Sequence, residues 1–240
     1  MVAALRALVE AESPSADPAA LRACADRIAE LGGGLLGAEP ERLAVGGLVH
    51  LRWRFGGPTR VLVLCHYDTV WPLGTLAGWP FGIADGVATG PGAFDMKAGL
   101  VQGLFALAGL DRRDGVTLLV TADEEVGSET SRALIESEAA GASAALVLEP
   151  SAGPGGALKV ARKGTSRYEV EVAGRAAHAG LEPEKGVNAG LELAHQLLAL
   201  EVLADVAAGT TLTPTLLSGG TTTNTVPAQA KVAIDVRVPD

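Results

Sequence analysis

A chain of 240 residues, 48% hydrophobic and 20% charged, has the material for a buried core and for one or two domains, which excludes a disordered chain. Its 28 acidic residues outnumber 19 basic ones and leave a formal charge of −9, so nucleic acid is excluded as the main partner, because phosphate needs a basic face. Cations and small polar substrates suit this balance better.

The first forty residues predict helix. In ADPAALRACADRIAELGGG, Pro18 stands near a helix start, Leu21, Cys24, Ile28 and Leu31 recur at helical spacing, and the glycine run is expected to stop the helix. RVLVLCHYDTV, from 60 to 70, is a short apolar run that suits a buried strand ending in a polar loop. VTLLVTADEEVGS from 116 and ASAALVLEPS from 142 repeat that design, each turning acidic at its end. Helical segments at 96–110 and 128–141 separate these strands, and the alternation predicts an α/β domain with a mostly parallel sheet. SAGPGGA, 151–157, reads as a linker. Beyond it SRYEVEVAG, GVNAGLELAHQLLALEVLAD, TTLTPTLLSGG and AKVAIDVRV read as a β-α-β-β run that looks unfinished, so an α/β domain over 1–157 and a smaller α+β domain over 158–240 are expected. No internal repeat or low-complexity tract is present.

The opening MVAALRALVEAESPS carries Arg6, Glu10 and Glu12 where a secretion signal needs an unbroken apolar region, and no stretch reaches ~18 apolar residues. No membrane segment is expected. Cys24 and Cys65 lie in apolar contexts and read as reduced core thiols, which fits a cytoplasmic protein.

In parallel sheets, ligands bind beyond the carboxyl ends of the strands. His66, Asp68, Glu124, Glu125 and Glu149 all fall there, and Asp95, in GPGAFDMKAG, lies on a glycine-rich loop just before a helix. A neutral imidazole is a good transition-metal ligand, and the nearby Asp68 could orient its ring. Taken singly, His66 also reads as a histidine capped by a turn aspartate, and Asp123–Glu125 as a solvated acidic turn. Clustered carboxylates repel unless cations or protons neutralise them. Their coincidence at one rim favours a hydrolytic zinc, cobalt or manganese site with oxygen ligands and one histidine. A phosphate-binding loop is excluded, since the Gly-Lys-Ser/Thr order is missing. Lys97 is expected at the surface or behind the ligands, and His50 and His195 read as structural.

HYDTV, GPGAFDMKAG, TADEEVGS, LVLEPS and RAAHAGLEPEKGVNA, in that order and spacing, resemble the zinc metallopeptidase and aminoacylase superfamily, closest to its glutamate carboxypeptidase (carboxypeptidase G type) members. The resemblance implies a catalytic α/β domain with two divalent ions, zinc first, about 3.5 Å apart, and an inserted lid domain that makes a homodimer. It implies His66 and Glu149 on one ion, Glu125 on the other and Asp95 bridging them, with Asp68 orienting His66 and Glu124 as general base. It implies His178 reaching the neighbouring subunit's site to bind the substrate oxyanion, Asn224 and Arg237 contacting substrate, and RKG, 162–164, as the lid hinge. On residues alone, Asn224 could equally make a turn and Arg237 pair along its strand. The implied activity is amide hydrolysis that releases a C-terminal amino acid such as glutamate. The alternatives are an N-acyl amino acid deacylase of acetylornithine or succinyl-diaminopimelate type, and an inactive metal-binding or dimerising remnant. The family's later helix, strand, glycine-rich loop and final metal-binding histidine do not occur within the 240 residues, so a C-terminally truncated chain is expected.

Overall fold

The alternation predicted for the first half is present in the computed structural model, which describes residues 1–153 and 155–239. Two units divide within the expected linker, Met1–Gly153 and Pro154–Asp240. The first contains α1 (Val2–Glu10), α2 (Pro18–Leu36), β1 (Glu41–Val45), β2 (Leu48–Phe55), β3 (Val61–His66), α3 (Thr75–Gly78), β4 (Gly82–Ala84), β5 (Val87–Thr89), α4 (Ala98–Ala108), β6 (Val116–Thr121), α5 (Arg132–Ala139) and β7 (Ala144–Val147). Five of its strands form one sheet in the order β1-β2-β6-β3-β7. β3 runs parallel to β6 and β7, and β2 is antiparallel to β1 and β6, so only β2 is reversed. β4 and β5 make a separate hairpin.

Alternation along the strands assigns the two faces of this sheet. Leu51 and Trp53 of β2, Val63 and Cys65 of β3, and Leu118 and Val120 of β6 share one buried cluster with Leu21, Cys24 and Ile28 of α2 and Leu100 and Leu104 of α4. Arg52 and Arg54 point the other way and both pair with Glu138 of α5, a carboxylate only 3% exposed. A search for apolar runs finds neither β1 nor β2, because those arginines and His50 break the pattern.

Asp17 caps α2 by accepting from the amides of Ala19 and Ala20 at 3.0 and 2.9 Å. The glycine run does not stop this helix, contrary to expectation; α2 continues to Leu36 and ends at Gly37, φ 71°. Packing explains Gly32, where a Cβ would lie 2.5 Å from Cζ2 of Trp53. Both cysteines are free and buried, and among the described residues no helix is long and apolar enough to cross a membrane.

The second unit contains β8 (Gly164–Ala173), α6 (Ala189–Glu201), β9 (Thr211–Gly219) and β10 (Gln229–Val238). The strands form an antiparallel sheet in the order β8-β10-β9. Ala230, Val232 and Ile234 of β10 pack with Ala189 and Leu193 of α6. Asn188 caps that helix through the amides of Gly190 and Leu191.

Candidate metal centre

Three adjacent parallel strands, β6, β3 and β7, end side by side. His66 closes β3 in register with Thr121 of β6, and Leu64 of β3 stands opposite Val147 of β7. The residues that follow therefore share one rim: Glu124 and Glu125 after β6, Asp68 after β3, Glu149 after β7. Asp95 arrives from the turn before α4. Gly92, φ 68°, starts that turn, Asp95 is extended at φ −119°, and the Asp95–Met96 peptide is cis. The His66 amide donates to Met96 Sδ at 3.0 Å, which ties the turn to β3.

The carboxylates converge on one imidazole nitrogen. His66 is 2% exposed, and its Nε2 lies 3.2 Å from Asp95 Oδ1, 3.2 Å from Glu149 Oε1 and 3.9 Å from Glu124 Oε2. Its Nδ1 faces Asp68, 3.0 Å from the carbonyl oxygen and 3.3 Å from Oδ1. Asp68 is fully buried. Its Oδ1 accepts from the Glu124 amide, and its Oδ2 from the Glu125 amide and the Ser15 hydroxyl, at 3.1, 3.1 and 2.8 Å. Ser15 carries no signal in its own neighbourhood, because its partner stands 53 residues away.

Asp123 faces away from the cluster. Its Oδ2 closes the 124–129 loop by accepting from the Thr130 amide and hydroxyl and the Ser131 amide. His50 is buried behind it, with Nδ1 accepting from the Ala122 amide and Nε2 3.0 Å from the Thr130 hydroxyl, so its expected structural role matches its surroundings.

Of the two positions expected for Lys97, the structure shows the one behind the ligands and not the surface. Lys97 is 1% exposed, and its Nζ donates to the carbonyls of Leu8 and Ala11, both at 2.9 Å. The ammonium thus holds the carboxyl end of α1 against the turn that carries Asp95, where the helix leaves carbonyls without internal partners.

This donor set is electrostatically incomplete by itself. Burial pushes the His66 imidazolium down, but hydrogen bonds and charge from Asp68 and Glu149 outweigh it and lift the group to about 11. Burial and the Asp95 charge, opposed by His66, raise Glu125 to about 7. Burial raises Glu124 as well; the His66 charge opposes this, and repulsion from Glu149, Asp68 and Asp95 adds to it. Carboxylates that hold a proton on a buried imidazole are a site where a cation can take that proton's place. One nitrogen among oxygens fits zinc, cobalt or manganese. The ligand atoms of His66, Glu124 and Glu149 lie within 4.8 Å of one another, as do those of His66, Asp95 and Glu125. His66 therefore belongs to both groups, and Glu124 stands among them.

The other expected residues lie in the second unit. His178 is exposed; its Nδ1 accepts from the amides of Gly180 and Leu181, both at 3.1 Å, which leaves Nε2 as a donor toward solvent. The Ala179 amide donates to the Asn224 carbonyl, so these two residues share one end of the sheet. Arg237 pairs in a bidentate contact with Asp235 on its own strand, at 2.7 and 3.0 Å. It stands opposite Thr165, whereas Gln229, next to the Asn224 loop, stands opposite Ala173. Eight residues along β10 therefore put Arg237 about 25 Å from the His178 and Asn224 end. His195 is exposed on α6 and takes no part in the core.

Residues 160–240 match the family model described as a peptidase dimerisation domain. The chain is 31% identical to carboxypeptidase G2 of Pseudomonas sp. (strain RS-16), over 99% of this chain and 59% of that protein. It therefore spans less than two thirds of that relative's length. Among solved structures, it is similar to an M20 family metallo-carboxypeptidase, Sso-CP2 from Sulfolobus solfataricus, with TM-score 0.80 and 18% identity over 99% of this chain and 70% of that one. It is also similar to aminopeptidase PepT from Bacillus cereus, with TM-score 0.71 and 25% identity over 100% of this chain and 66% of that one.

Proposed function

We propose that this chain is an M20-type metallopeptidase whose rim serves the metal-dependent hydrolysis of an amide bond, releasing a C-terminal amino acid from an acyl or peptidyl group. The observation that carries this reading is the convergence of Asp95, Glu124 and Glu149 on Nε2 of the buried His66, with Glu125 in the same cluster. His66 and Glu149 would hold one divalent ion, Glu125 a second, and Asp95 both, with zinc the first choice. Such ions, when bound, polarise a carbonyl and make water more acidic.

The chain's own groups supply the rest. Asp68 keeps the Nδ1 side of His66 occupied, which leaves Nε2 for ligation. Glu124, half exposed and with its carboxyl pushed above the usual range, is the base that takes a proton from the attacking water and returns it to the leaving amine nitrogen. The second unit would pair two copies, and His178 of the partner subunit would donate from Nε2 to the oxyanion. Asn224 and Arg237 would contact the substrate. The compartment assigned is the cytoplasm.

The test is release of free amino acid from N-acyl and peptidyl glutamates, with N-acetylornithine and N-succinyl-diaminopimelate alongside, by zinc-loaded protein and by Glu124→Gln. Glutamate release that Glu124→Gln abolishes while still binding zinc supports the reading. Turnover of the N-acyl diamino acids alone moves the assignment to a deacylase, and zinc binding without turnover leaves a metal-binding, dimerising chain.

A further inference from the structure

The segment Leu8–Ser15 touches two of the pieces that build the rim, the loop after β3 and the turn that carries Asp95. Carbonyls of Leu8 and Ala11 receive Lys97 Nζ, two residues beyond Asp95. Glu12 accepts from the amides of Gly74 and Leu76. Ser13 donates its hydroxyl to the Tyr67 carbonyl at 2.6 Å, and a short parallel bridge pairs Pro14 with Thr69. Backbone bonds from the Ser15 amide to the Thr69 carbonyl and from the Thr69 amide to the Ser13 carbonyl complete the bridge. Proline suits its middle position, where no donor is needed.

From this geometry we infer that Ser15 is a positioning residue for the metal centre, acting through Asp68. The inference rests on the metal-centre reading above. The Asp68 carboxylate joins three pieces of chain, the His66 ring, the Glu124–Glu125 amides and Ser15, and only Ser15 meets it with a side-chain hydroxyl. The Ser15 oxygen is 2.8 Å from Asp68 Oδ2 and 3.3 Å from the Thr69 carbonyl, so its single proton goes to the carboxylate. Without that proton, Oδ2 keeps only the Glu125 amide, and a buried anion that loses a donor turns to recover one. A turn of Asp68 moves both things it fixes, the orientation of the His66 ring and the placement of the loop bearing Glu124 and Glu125. Ser13 provides the control: it is 1% exposed and holds the same segment to the same loop, yet its hydroxyl bonds a carbonyl and not Asp68.

The experiment is competition of the 240-residue chain against a chelating dye for zinc, with the visible spectrum of the cobalt-loaded protein and the melting temperature of the metal-free protein. Ser15→Ala is expected to weaken zinc binding roughly tenfold, the scale of an outer hydrogen-bond partner, and to change the cobalt spectrum. Ser15→Thr keeps the hydroxyl and should bind as the parent does. Ser13→Ala should lower the melting temperature and leave zinc affinity alone. If Ser15→Ala does not fold, Ser15→Cys, which keeps the shape and weakens the donor, should show the same loss. Parent-like zinc affinity in Ser15→Ala or Ser15→Cys, or an equal loss in Ser13→Ala, would overturn the positioning role while leaving the metal centre intact. A parent that binds no zinc fails at an earlier point, overturning the metal-centre reading and the assignment of Ser15 together.

Discussion

The two units resolve the same problem differently. In the first, α2 and α4 cover a sheet whose Leu51, Trp53, Leu118 and Val120 are at most 2% exposed, and the charged groups at its rim find their partners in one another. In the second, one helix lies against three strands, and Leu191 and Leu198 of α6 and Leu216 and Leu217 of β9 are 64, 66, 73 and 60% exposed. An inward-facing cluster of ionisable groups is a device for chemistry, and a broad apolar exterior is one for association. The two functions can therefore be separated by substitution.

The largest effect should come from His66→Ala, which removes the residue common to both ligand groups. Zinc binding by competition titration should weaken more than about 100-fold, beyond the loss expected for an outer hydrogen-bond partner. Retention of tight binding would break the assignment of chemistry to this unit.

A smaller effect lies in pH. Glu125 is raised from 4.5 to about 7 in the metal-free fold, by burial first and by Asp95 second. The folded state then binds more protons than the unfolded chain between those values, so stability falls as pH rises from 4.5 to about 7. His66 is also raised, from 6.5 to about 11, so its contribution is complete below 6.5 and is lost as pH rises toward 11. Denaturant unfolding of metal-free protein at pH 5 and pH 7 should show the Glu125 slope. Glu125→Gln should flatten it and zinc should reverse it; an unchanged slope in Glu125→Gln would remove Glu125 from the coupled cluster.

The smallest effect on the metal, and the sharpest on association, belongs to Leu216→Glu. It should reduce dimer content in sedimentation velocity while zinc affinity stays within about twofold, as distant sites do. Coupled loss of both would show that the two units do not divide the work.

What was legible in the sequence follows from sequence distance. Apolar runs that end in acids disclosed β3, β6 and β7 and placed His66, Glu124, Glu125 and Glu149 at one rim, because strand and ligand are contiguous in each case. The hairpin of β1 and β2 was missed although Gly46 and Gly47, φ 59° and 85°, are the residues its turn demands; the arginines of β2 hide a strand whose charge is neutralised from α5. The choice between the two positions open to Lys97 was hidden for the same reason. A lysine before an apolar helix looks solvated until two carbonyls from the far end of another helix are brought to it.

That lysine also fixes an order of events. Its partners precede it by 89 and 86 residues, and Asp68 receives its Glu124 amide from 56 residues ahead. Among the described residues, the ligand groups come together only after the ends of β3, β6 and β7 and the turn before α4 have met. During synthesis the two ligand groups cannot both be complete until Glu149 has emerged, so a cation that needs both would be taken up only after the first unit has folded. A cation that binds only the folded first unit would stabilise it, and its capture by a chelator would draw the chain back toward unfolding.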